Sequence, residues 1–323
     1  MTILKKVFSI LARIGISILL LWFVFRQVDE RMMLSIIKSA NKGLLLLACV
    51  IYANVYLLCL LRWQVLLKAV DMDIPFHRIL ISFSGGVFFS LFLPSTIGGD
   101  FMRSIDLAAY SHKPRQVVAT VFVDRLSGYI GMVILSVLAL GFGWNLLRLH
   151  SSILISIMAL IFILVFILIV LFNHVVYSHL NRLLQSPTAG RIRVFLTNLH
   201  REIHYFVNRK KAVALSVIFS LLVQIIAPLT FFIVAVALGV KLQIIYFLIF
   251  LPIIGAVTML PISIGGLGVR DALTVFFFAQ VGMGKDLAFA MSLVSFLFIL
   301  FYGAVGGIIY VLTIHHRRLQ PDQ

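Results

Sequence analysis

The chain reads as long apolar blocks punctuated by short polar turns. Apolar segments fall at about 8–25, 44–67, 79–97, 117–143, 152–173, 212–238, 244–264 and 287–313, and one long polar stretch, 174–211, separates the fifth from the sixth. A run such as Ile153–Phe172 reaches the roughly 20 residues that carry a helix across a hydrocarbon core of about 30 Å. Two segments end differently from the rest. Residues 93–103 read LPSTIGGDFMR and residues 260–270 read LPISIGGLGVR, so both fit L-P-x-[ST]-I-G-G-x-x-x-R.

The chemistry of this phrase predicts a break. Pro94 and Pro261 remove a backbone donor and bias the preceding leucine away from helix, and Gly98-Gly99 and Gly265-Gly266 end regular structure. Short helices are expected on either side, at about 79–92 and 100–112, then at 244–258 and 267–281, each pair a re-entrant hairpin. Irregular backbone at that depth is tolerated only where protein or a water-filled cavity surrounds it. Paired breaks in corresponding places of two halves are the signature of an inverted repeat with its binding site at the breaks.

Charge then decides the number of crossings. The stretch 174–211 carries Arg182, Arg191, Arg193, Arg201, Arg209, Lys210 and Lys211 against Glu202 alone. The positive-inside rule puts it in the cytoplasm, together with Lys5, Lys6, Arg317 and Arg318. Eight crossings would leave this loop outside. If 79–97 and 244–264 turn back, every charge signal is satisfied. The expectation is an all-α polytopic membrane protein with about six full spans, two re-entrant hairpins and cytoplasmic N and C termini. It forms one membrane domain over 1–323, with span–hairpin–span units of opposite orientation at 44–143 and 212–313 and a basic cytoplasmic loop at 174–211. Lys5 and Lys6 precede an apolar run as in a signal peptide. However, Arg13 interrupts that run and Trp22–Arg26 offers no small-residue cleavage site, so a retained first span is expected.

Composition agrees. At 62% hydrophobic and 12% charged residues, with mean hydropathy +1.12, the chain has about half the charge of a soluble enzyme. The net charge of +16 gathers at span ends and loops, where it meets anionic headgroups rather than nucleic acid. Cys49 and Cys59 share one apolar segment and suggest neither a disulfide framework nor a metal site. HREIH at 200–204 is not HExxH, and no GxSxG, Walker loop or nucleotide fingerprint is present. No cofactor or metal is implied.

Candidate chemistry lies at the breaks and in one span. Arg103 and Arg270 hold identical positions in the two phrases, each about one turn into its second half-helix. A helix N-terminus beside a guanidinium suits phosphate oxygens, and two such sites facing each other would cradle an anionic headgroup. The structural alternative has each Arg capping carbonyls or pairing with Asp100, Asp106 or Asp271. Asp124 and Arg125 interrupt the apolar segment 117–143 and, as neighbours on a helix, need partners other than each other. Asp124 with Arg270 or Arg103, or Arg125 with Asp100, would serve. A static salt bridge, headgroup contact and proton coupling all stay open. Asn54, Gln224 and Pro228 are expected to serve interhelical bonding or, second, to line a cavity, Arg62 and Arg13 to snorkel from span ends, and Gly303 and Gly307 to allow close helix packing.

The LPxxIGGDxxR phrase, Val123-Asp124-Arg125-Leu126-Ser127-Gly128 and the late Leu260–Asp271 together resemble the flippase-like family, also called the lysylphosphatidylglycerol synthase transmembrane region. The resemblance covers nearly the whole chain. In multiple peptide resistance factor proteins such a domain precedes a soluble aminoacyltransferase and moves lipid between leaflets. Only ten residues follow Thr313, so no transferase domain is expected. The resemblance marks Asp100, Arg103, Asp124, Arg125, Arg270 and Asp271 as motif positions.

The resulting expectation is a non-enzymatic lipid flippase or scramblase-type transporter in a bacterial or archaeal cell membrane. It would act on an anionic phospholipid, aminoacylated phospholipid or polyprenyl-phosphate lipid. The competing readings are a membrane-embedded headgroup transferase and an accessory lipid-binding subunit of a glycosyltransferase system. Membrane lipids are the expected partners. A lipid-modifying enzyme, a glycosyltransferase or a second copy of the chain stays open as a protein partner.

Overall fold

A computed structural model describes residues 15, 17–93, 96–147, 151–172, 206–259, 263 and 265–319. Pro94, Pro261, most of the loop 174–211, His200, His204 and the first residues with Arg13 lie outside the described residues. Those described are helical throughout: α1 (17–25), α2 (Glu30–Ser39), α3 (Lys42–Ala69), α4 (Phe76–Ser90), α5 (Thr96–Ser111), α6 (Pro114–Leu147), α7 (Ser151–Phe172), α8 (Lys210–Ala237), α9 (Ile244–Thr258), α10 (Val269–Ala279) and α11 (Lys285–Leu319). Among the described residues four helices, α3, α6, α8 and α11, are long and apolar enough to cross a membrane. Helices α4, α5, α9 and α10, with 15, 16, 15 and 11 residues, fall short of the roughly 20 needed. Large side chains such as Leu46, Phe142, Ile155 and Phe162 stand exposed on the long helices, as lipid-facing residues do. The expected crossings at 8–25 and 152–173 coincide with α1 and α7, each described only in part.

Helix α3 runs antiparallel to α8 over its full length. Asn41 N–H donates to Ala237 O (3.0 Å), Arg62 reaches Ser220 and Arg209 pairs with Asp71 (3.0 Å). Helix α6 lies parallel to α8, with Ser127 beside Ser216 and Gly131 against Ser220. The short helices pair in sequence order. Arg78 with Asp106, and Gly86 with Gly99, make α4–α5 an antiparallel hairpin. Phe247 with Phe278, and Thr258 against Gly266, do the same for α9–α10.

Contacts are exchanged between the halves of the chain: α4 packs along α11, and α9 packs along α6. The hairpins come from opposite ends of the bundle, and their tips touch. A Cβ on Gly265 would sit 3.6 Å from Leu91 O. Two apolar clusters fill the ends. One, around Trp63, Leu66, Leu107 and Val117, lies beneath the α3–α4 and α5–α6 turns. The other, around Phe247, Phe250, Phe278 and Phe289, lies beneath the α8–α9 and α10–α11 turns.

The two copies of the repeated phrase do not fold alike. In the first, Gly98 and Gly99 do not end a helix as expected; they lie in the opening turn of α5. Their role is proximity: a Cβ on Gly99 would meet Ser90 Cβ at 2.8 Å, and one on Gly86 would meet Gly99 O at 2.9 Å. In the second, Gly265, Gly266 and Gly268 take φ of 58°, 77° and 78°, a region that side chains rarely enter, and α10 begins only at Val269. Gly303 and Gly307 press α11 against Leu91, just past α4, and Phe88 of α4, the close packing expected of them, and Gly306 does the same against Ser84.

Gly99→Ala should overpack the α4–α5 seam and destabilise the fold by about 1–3 kcal/mol, while Gly141→Ala, where nothing lies within 4 Å, should leave it unchanged. Thermal unfolding of both variants in detergent checks the contrast.

Candidate functional site: a charged cavity at the first hairpin

Asp124 is 3% exposed and lies about 15 Å along α6 from Pro114, taking 1.5 Å per residue. A bare carboxylate there would be severely desolvated. Two guanidinium groups neutralise it: Arg62 Nε on α3 donates to Oδ1 (2.6 Å) and Arg103 Nη2 on α5 donates to Oδ2 (2.8 Å). Arg103 Nη2 also reaches Asp100 Oδ1 one turn earlier on α5 (2.9 Å), and Asp100 in turn accepts from Arg125 Nε on α6. The chain of charges is therefore Arg62–Asp124–Arg103–Asp100–Arg125, three cations and two anions, fastening α3, α5 and α6 together.

Neutral groups complete the cluster. Arg62 Nη1 donates to Ser220 Oγ on α8 (3.0 Å), and Ser216 Oγ donates to Ser127 Oγ (2.8 Å). A Cβ on Gly128 would stand 3.5 Å from Arg62 Nη1, so the glycine leaves room for the guanidinium. Arg103 Nε and Nη1 find no oxygen. The guanidinium lies over the Trp63 ring at 4.7 Å and the Phe83 ring at 5.7 Å, so π faces meet it instead. Trp63 is itself held by its Nε1–H on Thr120 Oγ1 (3.1 Å).

This network lines a cavity of about 230 Å³. Its walls come from α3 (Cys59, Arg62), α4 (Phe83, Gly86, Ser90), α5 (Asp100, Arg103), α6 (Asp124, Arg125), α8 (Gln224) and Met259 at the second hairpin's tip. A second latch closes the base of the first hairpin: Arg78 Nη2 pairs with Asp106 Oδ2 (2.9 Å), and Ser82 Oγ donates to the same carboxylate.

Arg270 does not face Arg103 across this cavity. It belongs to a separate buried cluster: Nη2 donates to Asp271 Oδ1 (2.9 Å), Nε to Ser292 Oγ (3.2 Å), and the guanidinium lies over Phe296 at 4.7 Å. Asp271 also accepts from Ser292 Oγ (2.5 Å) and from Gly268 N (3.0 Å), stitching the start of α10 to α11. The two arginines differ in register too. Arg103 stands two turns into α5, whereas Arg270 is the second residue of α10. The expected pairing of Arg125 with Asp100 is present; of the two partners expected for Asp124, Arg103 is there and Arg270 is not, and Arg62 is the second cation.

Other sequence expectations shift. Arg62 does not snorkel: it is 8% exposed and turned inward, because Asp124 needs a second cation more than the arginine needs water. Among the described residues Asn54 makes no interhelical bond; it donates to Ile51 O of its own helix. Gln224 lines the cavity, and Pro228 is buried within α8. Arg62, Arg78 and Ser220 are site residues that sequence reasoning missed. The available signal was the surplus of charge demand at Asp124, with Gly128 one turn away marking space for a large neighbour. Among the described residues no three His, Cys, Asp or Glu side chains gather as metal ligands would.

The sequence pattern of the family described as the lysylphosphatidylglycerol synthase TM region matches residues 10–306. The chain belongs to that family. It is also similar to a UPF0104 membrane protein of Methanothermobacter thermautotrophicus, 23% identical over 287 residues and covering 80% of each chain. A UPF0104 membrane protein of Pyrococcus horikoshii is 22% identical over 317 residues, covering 90% of this chain and 92% of its own. In this member of the lysylphosphatidylglycerol synthase TM region family, the Val123–Gly128 segment carries the charge hub, its link to Asp100 and the space for Arg62.

Asp124→Asn leaves the buried Arg62 guanidinium without a carboxylate and Arg103 sharing Asp100 with Arg125, and should destabilise the protein by about 3–5 kcal/mol, the range for breaking a buried pair. Asp71→Asn, which breaks an exposed pair with Arg209, should cost about 0–1 kcal/mol. Thermal inactivation of the two variants side by side measures the difference.

Proposed function

We propose that the protein is a lipid transporter of the flippase or scramblase type, moving an anionic lipid headgroup between leaflets through the charged cavity without hydrolysing a nucleotide. The observation that carries this reading is the cavity itself. A cluster with one net positive charge lies at the tip of the first helical hairpin, against the apolar core around Trp63. In this reading α3–α6 and α8–α11 are the two units of an inverted repeat. Their short helices enter a bilayer from opposite sides and meet near its midplane, the arrangement that places substrate sites in many transporters. The family's name and its archaeal membrane-protein relatives are compatible with a role in lipid handling.

A transporter fits better than a headgroup transferase for a chemical reason. Both carboxylates lining the cavity are held by two guanidinium groups each. With each of the four oxygens already taken by a guanidinium, neither carboxylate offers the free oxygen that a general base turns toward its substrate. The pairs can instead open and reform around a passing phosphate, since a guanidinium binds carboxylate and phosphate by the same fork.

The basic end of the bundle, with Lys68, Lys113, Arg115, Arg209, Lys210 and Lys211, faces the cytoplasm in this reading, and the α8–α9 turn faces outward. Single cysteines replacing Lys113 and Lys241 should then behave oppositely toward an impermeant maleimide in intact cells. Lys241→Cys should label and Lys113→Cys should not; the reverse pattern would overturn the orientation.

Transport is tested in vesicles carrying a headgroup-labelled phosphatidylglycerol, with leaflet position read by quenching from outside. The purified protein should speed exchange, and Arg125→Ala should slow it at least tenfold while the protein stays folded. Arg103→Ala should do the same if it folds, and Arg103→Lys should restore only part of the rate because a point charge lacks the fork. Exchange no faster than in empty vesicles would sink the reading.

A further inference from the structure

Helix α4 packs along α5 and α11 but touches α3 only sparsely. The space between α3 and α4 holds two cavities back to back. One is the charged cavity. The other, of about 220 Å³, lies between α3, α4 and α11. Its lining is Tyr56, Leu57, Leu60, Leu80, Val305 and Ile309, with Phe83 and Val87 belonging to both cavities. Among its few polar groups, the Tyr302 hydroxyl already donates to Cys49 O (2.7 Å). Leu57 and Val305 are exposed, so the slot opens sideways on the apolar girdle of the molecule. Charge and grease are thus separated by two side chains: Phe83, over which the Arg103 guanidinium lies at 5.7 Å, and Val87.

We infer that the slot between α3, α4 and α11 is the hydrocarbon-chain subsite of the lipid whose headgroup occupies the charged cavity. The inference rests on the transport reading for the headgroup, and adds the route and the substrate class. The ligand is an amphiphile with a single negative charge and a hydrocarbon chain, entering sideways between α3 and α4. A net cavity charge of plus one favours a phosphodiester monoanion over a zwitterionic lipid. A water-soluble phosphate compound would have no use for the apolar half. Phe83 and Val87 form the divider that the glycerol region must pass.

Photo-crosslinking tests it on the unaltered protein in nanodiscs of mixed phosphatidylcholine and phosphatidylglycerol. Each lipid is supplied in turn as a trace probe with a diazirine on one acyl chain, and cross-linked peptides are located by mass spectrometry. The phosphatidylglycerol probe should mark Leu57, Leu80, Val305 and Ile309 at least fivefold above the exposed positions Leu46 and Phe162. The phosphatidylcholine probe should show no such enrichment. Equal marking by both probes, or no enrichment with either, would mean that the slot is ordinary lipid-facing surface, and the inference falls.

Val305→Trp, which fills the slot without touching the charged cavity, should lower slot cross-linking and lipid exchange together by about tenfold. Exchange at the wild-type rate in a folded Val305→Trp protein also overturns the slot, leaving transport intact. Enriched, headgroup-selective cross-linking in a protein that exchanges no lipid does the opposite: the subsite stands and transport fails. The cross-linking arm needs no variant, so misfolding of Val305→Trp leaves the slot testable.

Discussion

The fold turns on one carboxylate. Asp124 sits where an isolated negative charge would be intolerable, and its two oxygens are divided between Arg62 and Arg103. The desolvation of three ions in a low-dielectric interior offsets much of their attraction, so the cluster is weak grounds for stability as such. Its value is positional. Arg62 fixes the depth of α3 against α6, Arg103 fixes the rotation of α5, and Ser220 ties α8 to the same guanidinium. Sliding any of these helices by one turn would move an ion about 5.4 Å from its partner and strand it. A packing made only of Leu, Ile and Phe would carry no such penalty for slippage in lipid, where the hydrophobic effect does not hold helices together.

Close backbone approach is the second requirement. The α4–α5 hairpin can reach the middle of the bundle only because Gly86 and Gly99 let two helices meet without side chains between them, and Gly306 does the same for α11 against Ser84. Those contacts set how far Arg103 projects toward Asp124. The glycines are thus part of the electrostatic site although none carries charge.

Much of this was legible from residue order. The apolar blocks give α3, α6, α8 and α11 to within a few residues, and the repeated L-P-x-[ST]-I-G-G phrase locates both hairpin tips. Asp124 and Arg125 announce themselves as charges inside an apolar run, and the Asp100–Arg125 pair follows from their inability to pair with each other. Arg62 was misread because its distance from the helix end permits snorkelling equally well. Only the neighbouring span, with a carboxylate short of cations, decides which way the side chain turns. The register of Arg103 was misread because Gly-Gly in a helix and Gly-Gly in a turn look the same in one dimension. The packing partner on α4 selects the helix.

That ambiguity bears on the two copies of the phrase. They share the seven fixed positions of the pattern yet differ between the glycines and the arginine, where Phe101 in the first corresponds to Gly268 in the second. A left-handed φ is open to Gly268 and costly for phenylalanine, so the unwound turn is available to the second copy and closed to the first. Winding is open to both. The consequence reaches the arginines, because the unwound turn sets Arg270 at the start of α10, where Asp271 and Ser292 saturate it, while the wound turn carries Arg103 to the cavity and to Asp124. One repeated phrase thus builds two buried guanidinium groups, one lining a cavity and one saturated by its neighbours. Two differences part the copies: Phe101 against Gly268 in the turn, and Asp100 against Leu267, which leaves only the first copy a carboxylate one turn before its arginine.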